Sequence, residues 1–549
     1  VDRFTRRFGF KVAAALGAAA ATGGLRSIAF AEKVPVGEPA DIAEATVGGD
    51  LFVRVVELGD NMDPAKTAAL QSGLTLRLVG DTLIAKDFDG NFVPHLATAW
   101  EISEDGLTWT FTLRDDVTFH DGTPLDAEAV RFTFDRILNP DTAAGSAAAQ
   151  VGPMVRESLK AIDATTFQFQ LSEPFAPLVQ FLTGPSLGIV SPTAVEADPE
   201  GFARKPVMSG PYIFEEWREG DRVILRRNPD YAWAPDYLHQ EPAGAFIESI
   251  TFQSIVEDAA ATAAFEAGEV HQLPIPSADI PRLEESGQYS IVSYQTQGIQ
   301  FFAFNITRDL FADQALRFAL MGAINKQDVL DAAIEGYGMP AYTYLSPAVN
   351  YYDTNAESYA PAYDPEAVKA TLAELGWTDS DGDGVVDKDG VKLAFTALCT
   401  PEDPVVRAAQ IMQAQFADVG VAMEISQMEF ATLLEQVGGG QHEAAYIGYS
   451  YPDADFAYQL FHSSQATGGI SFTQIQDPAL DALIEQGRTQ TNSDERAATY
   501  AEIQKYVNDQ GLIIPLWVES NYLGFNPSVK GAALHPDTYT VYYDAWLAE

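Results

Sequence analysis

Cysteine is nearly missing from this chain. Among 549 residues there is one, Cys399. No internal disulfide can form, and no cysteine cluster can hold zinc or an iron–sulfur centre. Histidine is sparse too. The seven, at positions 95, 120, 239, 271, 442, 462 and 535, are scattered, and none pairs at the spacing of a helical metal site. Basic residues are few: 33 lysines and arginines face 78 acids, for a net charge of −45. Phosphate backbones need a basic surface, so nucleic-acid binding is excluded. No stretch reaches the roughly 18 apolar residues of a membrane span. Enzyme motifs are missing as well. There is no His-Glu-x-x-His, no phosphate loop and no dinucleotide glycine pattern. "GYSYP", Gly448 to Pro452, superficially resembles a nucleophile elbow, but Pro452 replaces its closing glycine. No enzyme activity is expected.

What remains is ordinary globular material. The chain is 47% hydrophobic with a mean hydropathy of −0.06, enough for two or three domains. The first 31 residues read as an export signal. "TRRFGFK", Thr5 to Lys11, sets Arg6 and Arg7 before the Ala-rich run Val12 to Ala21, and Ala29 to Ala31 make a small-x-small cleavage site. This resembles a twin-arginine (Tat) signal. No cysteine follows it, so a lipid anchor is not expected, and a free periplasmic protein is. Residues 32–47 are small, acidic and Pro/Gly-punctuated, and read as a flexible leader.

"DSDGDGVVDKDG", Asp379 to Gly390, imitates a calcium loop. Asp379, Asp381 and Asp383 fill positions 1, 3 and 5, Gly384 fills 6 and Asp387 fills 9. Position 12 is Gly390, where a bidentate glutamate belongs. Upstream, Asp364 caps a helix with a Val368, Leu372, Leu375 stripe. Downstream, Val391, Leu393 and Phe395 alternate as a strand. The loop therefore joins helix to strand. It reads either as a weak calcium site or as a plain Asp/Gly turn. No other cofactor is expected.

Elsewhere strands and helices alternate, an α/β pattern. In "WEISEDGLTWTFTLRDDVTFHDGTPL", Trp109, Phe111 and Leu113 alternate with threonines, as in a half-buried antiparallel strand. A helix follows, capped by Asp126, with Val130, Phe134, Ile137 and Leu138 on one face. This segment, with the preceding "PHLATA", resembles the signature of the family 5 extracellular solute-binding proteins, receptors of ABC importers. "MSGPYIFEEWREGDRVILRRNPDYAW", Met208 to Trp233, is similar to their Gly-Pro-Tyr and Asn-Pro-x-Tyr segments. "FFAFNITRDLFADQALRFALMGAINKQDVL" from Phe301 and "YPDADFAYQLF" from Tyr451 continue the resemblance in order.

The resemblance implies a two-lobe α/β periplasmic binding protein of type II with two crossing strands as hinge. Lobe 1 would be 48–298 plus 513–549, with an added subdomain at 84–204, and lobe 2 would be 299–512. A peptide-like or other small organic solute would be enclosed between the lobes. Permease subunits and their ATPases would be the partners, with membrane contact only through them, and the receptor would act as a monomer. Alternatives are an oligosaccharide or opine receptor of the same fold and, from another class, an exported hydrolase. In peptide-binding relatives an aspartate pairs with the ligand's α-ammonium where this chain has Ser450. Asp453 or Asp455 would have to replace it, unless they are helix-capping residues. Gly80 and Asp81 stand where relatives often carry Tyr and Glu, and Gly80 would leave room for a larger ligand. Tyr449, Tyr451 and Trp517 would stack on the ligand or belong to the core.

Overall fold

The computed structural model describes residues 34–35, 42–240 and 243–548. The export signal and half of the expected leader, residues 32–33 and 36–41, lie outside the described residues. Among the described residues, no helix is long and apolar enough to cross a membrane.

Two β-sheets share one strand. The lobe 1 sheet runs in the order Tyr212–Arg218, Arg222–Arg227, Ser249–Ser254, Asp50–Val55, Gln272–Pro274 and then the end of Ile513–Phe525. Ser290–Gln295 pairs with that same end. The lobe 2 sheet runs Ala422–Gln427, Ala394–Cys399, Ala444–Ser450, Gly298–Phe304 and then the beginning of Ile513–Phe525. The strands Ala394–Cys399 and Ala422–Gln427 are parallel, and helix Asp403–Asp418 lies between them in sequence, a βαβ unit.

The apolar run in Gly298–Phe304 follows from burial on both faces. Phe302 and Phe304 enter one core, with Phe395, Phe416 and Leu372. Ile299, Phe301 and Ala303 enter the other, with Ile447, Phe472 and Tyr500. A strand covered on both sides has no polar face to alternate with.

The shared strand decides where one lobe ends. Ile513, Ile514 and Pro515 pair with Ala303, Phe302 and Phe301, while Ser520 to Phe525 pair with Gln295 to Ser290. Pro515 has no N–H for the ladder, and the register slips beside it, between Gln300 and Phe301. The strand then continues without a break. The return crossing therefore lies at Glu519 and Ser520, not at the expected 512–513 boundary. The outgoing crossing is beside it, where the Thr296 N–H donates to the Glu519 carbonyl at 2.9 Å.

The segment expected as an added subdomain holds its own four-stranded sheet, in the order Ala97–Ile102, Thr108–Leu113, Thr166–Gln170, Lys160–Ala161. Trp109 and Phe111 are buried, and their rings stack on Phe169 with centroids 6.0 and 5.9 Å away. Helix Ala127–Leu138 begins where Asp126 accepts from the N–H groups of Glu128 and Ala129. It lays Phe134 on Phe167 at 5.6 Å. This sheet shares one continuous core with the lobe 1 sheet.

Candidate ligand-binding cavity

A cavity of about 460 Å³ opens on lobe 1 beside the crossing strands. Helix Leu70–Val79 turns Leu70, Leu74 and Arg77 toward it, positions i, i+4 and i+7 of one face, and buries Leu76 and Val79. Tyr294 and Tyr522 come from the crossing strands, and Tyr539, Tyr542 and Tyr543 from the C-terminal segment. Leu70 and Val56, both on the lining, are 80% and 53% exposed, apolar surface that a ligand would cover.

Asp81 and Gly80 both line this cavity. The Asp81 carboxylate is already filled by the protein. Oδ2 accepts from Ser209 Oγ and Trp233 Nε1, each at 2.9 Å, and Oδ1 accepts from the Tyr231 hydroxyl at 3.1 Å. The His95 imidazole lies 3.3 Å from Oδ1. Burial pushes this carboxyl up, but His95 and the hydrogen-bond donors outweigh burial and hold it below the usual carboxylate range. The motifs quoted above converge here. Gly210 donates its N–H to the Val79 carbonyl at 2.8 Å, and a Cβ at Gly210 would come within 2.7 Å of the backbone of residues 78–80. Only glycine permits that approach, which fixes Ser209 beside Asp81. Asn228 Nδ2 donates to the Gly210 carbonyl at 3.2 Å, and the same turn delivers Tyr231 and Trp233.

Gly80 leaves no room for a larger ligand, contrary to the expectation from its size. A Cβ there would lie 2.2 Å from Met208 Cε, and Met208 is fully buried. The methionine fills the space.

The lobe 2 candidates are placed elsewhere. Trp517 is core: it is 2% exposed, with its ring 5.8 Å from Tyr446. Tyr449 and Tyr451 stack on Phe456 at 5.3 and 5.6 Å. Tyr451 also meets Phe181 of the subdomain edge-on at 6.1 Å, which is a contact between lobes. The Ala176 N–H bonds the Arg488 carbonyl at 2.7 Å in the same region. Ser450 ends its strand, exposed, opposite Gly298. Asp453 is buried within lobe 2. It takes both ends of the buried Arg496 guanidinium, at 2.6 and 3.0 Å. Asp455 sits 3.1 Å from Arg488 Nε. Its burial pushes the carboxyl up to about 7, with the Asp453 charge adding to that and Arg488 opposing it. None of Tyr449, Ser450, Tyr451, Asp453 and Trp517 lines the cavity.

Sequence reading missed a polar group on the cavity wall. Lys86 and Asp537 form a buried pair at 2.7 Å, and Lys86 Nζ also donates to Gln180 Oε1 at 3.2 Å. The Asp537 carboxyl is held at about 2: burial raises it, but the charge of Lys86, with a smaller contribution from Arg77, prevails. These partners are 451 residues apart in the chain, so no local pattern could reveal them.

Asp379, Asp381 and Asp383 lie together, all exposed. Their oxygens are largely engaged. Asp379 accepts from the N–H groups of Gly382 and Gly384, at 2.8 and 3.0 Å, and Asp387 accepts from Ser380. Lys392 pairs with Asp383 and, at 3.1 Å, with Asp381. The loop joins helix Pro365–Glu374 to strand Ala394–Cys399 and is not on the cavity wall.

Residues 91–469 match the model of the bacterial extracellular solute-binding proteins, family 5 middle. The chain belongs to this family. This family 5 protein is 27% identical over 470 residues to the oligopeptide-binding protein AppA of Bacillus subtilis, covering 83% of each chain. It is 27% identical over 514 residues to the glutathione-binding protein GsiB of Salmonella paratyphi A, covering 90% of this chain and 94% of that one. Among solved structures, HbpA2 from Haemophilus parasuis aligns with a TM-score of 0.80 at 24% identity, over 91% of this chain and 100% of that one. That likeness shows the two-lobe fold. The family 5 protein is thus a solute-binding protein.

Proposed function

We propose that this protein is the exported receptor of an ABC importer. It takes a small organic solute onto the lobe 1 wall, closes lobe 2 over it about the paired crossings at residues 295–298 and 519–520, and presents the closed form to a membrane permease driven by ATPases. It is a monomer and does no chemistry on the solute. The observation that carries this reading is a solute-sized cavity beside two crossing strands in a family of solute-binding proteins. Small-angle scattering should show a smaller radius of gyration with solute, and mass spectrometry should recover the solute intact. A chemically altered solute would instead make the protein an enzyme.

The same reading narrows the solute. A buried ammonium needs a carboxylate. Ser450 carries none, Asp453 and Asp455 are committed to arginines, and Asp81 is filled by its own lobe. None of the sequence-read candidates therefore supplies the amino-group site, and the preferred solute lacks a free α-amino terminus, carries it exposed, or meets another carboxylate of the wall.

Export runs through the twin-arginine route to the periplasm, without lipidation. Changing Arg6 and Arg7 to lysine should leave the precursor in the cytoplasm in a fractionation experiment. Normal periplasmic yield from that double variant would contradict the route.

Calcium binds the Asp379–Gly390 loop weakly at best, because position 12 lacks a carboxylate and Lys392 already supplies positive charge. A chelator should leave solute affinity unchanged and move the melting temperature slightly. Submicromolar calcium affinity by calorimetry would refute this.

A further inference from the structure

The cavity wall carries four cationic or imidazole side chains, and three of them are occupied. Arg54 donates to Asp258 at 2.7 Å and to the Ile255 carbonyl at 2.9 Å. Lys86 is committed to Asp537 and Gln180. His95 lies against Asp81. Arg77 differs. Its guanidinium lies 4.2 Å above the Tyr539 ring, and one terminal nitrogen donates to the Thr183 carbonyl at 3.2 Å. Among the described residues no carboxylate lies within ion-pair distance of it, in a chain with 78 acids to 33 bases. Guanidinium offers five N–H donors in a fixed fork; the Thr183 carbonyl takes one and the Tyr539 side chain lies against another, which leaves donors for a solute at this lining residue.

Two further groups on the same wall are unsatisfied. Gln71, six residues earlier on the helix that carries Arg77, has a buried amide nitrogen with no protein acceptor. Asp537 is 5% exposed, and its Oδ2 takes no hydrogen bond from the protein while Oδ1 holds Lys86. His535 does not supply one. Its Nδ1 accepts from the Asp537 N–H at 3.0 Å, so its proton is on Nε2, toward the Lys86 carbonyl at 2.8 Å. Buried polar atoms without partners are costly and seldom left so. Around Asp537 the groups are Lys86, which pairs with it, Arg77, which acts on it from further off, and a neutral His535, so this end of the wall carries one positive charge more than negative, while Asp81 and Glu57 lie elsewhere on the lining.

We propose that the solute carries a carboxylate, that Arg77 is the residue that selects it with Gln71 as a second donor, and that Asp537 accepts a neighbouring N–H or O–H of the same solute. This rests on the receptor reading above and adds the chemical class to it. The carboxylate would meet the fork in its plane, as guanidinium favours, while Leu70, Leu74 and Val56 cover the solute's apolar part.

The test uses paired probes: N-acetylated di- and tripeptides with a free C-terminal carboxylate, and the same peptides as C-terminal amides, titrated by calorimetry. The acids should bind the intact protein at least tenfold more tightly than the amides. Arg77→Met should lose about tenfold to a hundredfold on the acids and nothing on the amides. Arg77→Lys should fall between, since it keeps the charge and loses the fork. Asp537→Asn keeps the volume and should weaken acids and amides alike. An unchanged apo melting temperature in Arg77→Met controls for folding. Equal binding of acids and amides, or full affinity for the acids in Arg77→Met, overturns the inference and leaves the receptor reading intact. If no acid binds while a neutral solute closes the lobes, the inference alone falls. If a screen of acids, amides, polyamines and oligosaccharides gives no closure at all, both fall.

Discussion

Asp453→Ala should destabilise lobe 2 by about 3–5 kcal/mol, because it strands a buried guanidinium. Asp453 and Arg496 are 1% and 5% exposed at the side chain. Arg496 is held on every side. Its Nε donates to the Gly487 carbonyl at 2.9 Å, and it lies over the rings of Tyr351 and Tyr500 at 4.8 and 5.1 Å. It cannot swing out to water when its partner is removed. The double variant Asp453→Ala/Arg496→Met removes both charges and should be more stable than the single one. Urea titrations of the wild type, both single variants and the double variant measure this. A loss below about 1 kcal/mol in Asp453→Ala would mean that the pair does not hold the lobe. Solute affinity, measured where the variant is still folded, should stay near the wild-type value, because Asp453 is not on the cavity wall.

The second large effect is at Asp81, and its signature is different. Asp81→Ala leaves Trp233 Nε1, Ser209 Oγ and the Tyr231 hydroxyl with lost or poorer acceptors, each loss costing about 1–3 kcal/mol. The apo protein should lose several kcal/mol in urea titration. The cavity wall should loosen with it, so that solute affinity also falls. Asp81→Asn keeps the shape and one acceptor oxygen and should recover part of both. An apo stability equal to wild type in Asp81→Ala would show that the carboxylate is free for solute after all. The pH dependence has a definite sign. The folded-state pKa lies below the ordinary aspartate value of 3.8, so this stabilisation is fully present above that value and is lost as the pH falls through the lower, folded one. Acid should therefore expose the loss in the wild type and show less of it in Asp81→Ala.

These two aspartates show how sequence and structure divided the problem. Both were read as candidate ligand contacts. The structure places each in an internal network, one with an arginine 43 residues away and the other with donors 128 to 152 residues away. A carboxylate looks the same in sequence whether its partner is a solute or a distant side chain. Burial and the partner's position decide, and neither has a local signal. Trp517 belongs with them. An aromatic residue in an apolar strand is compatible with either role, and the crossing at 519–520 put it into the lobe 2 core.

The sequence by itself determined the elements and the family. Alternating threonine and aromatic residues made Thr108–Leu113 a strand, and Asp126 and Asp364 capped helices as read. The Gly-Pro-Tyr and Asn-Pro-x-Tyr segments marked the family, because a glycine forced by close backbone approach and a turn that aims two aromatic donors depend on short-range geometry. The cavity was decided only by tertiary structure. Arg77, Lys86 and Asp537 come from a helix, a strand and a C-terminal loop spread across 460 residues, and chain folding alone brings their charges to one wall. Hydrogen-bond and periodicity rules act over a few residues, whereas an electrostatic site is built from whichever residues the sheet order sets side by side.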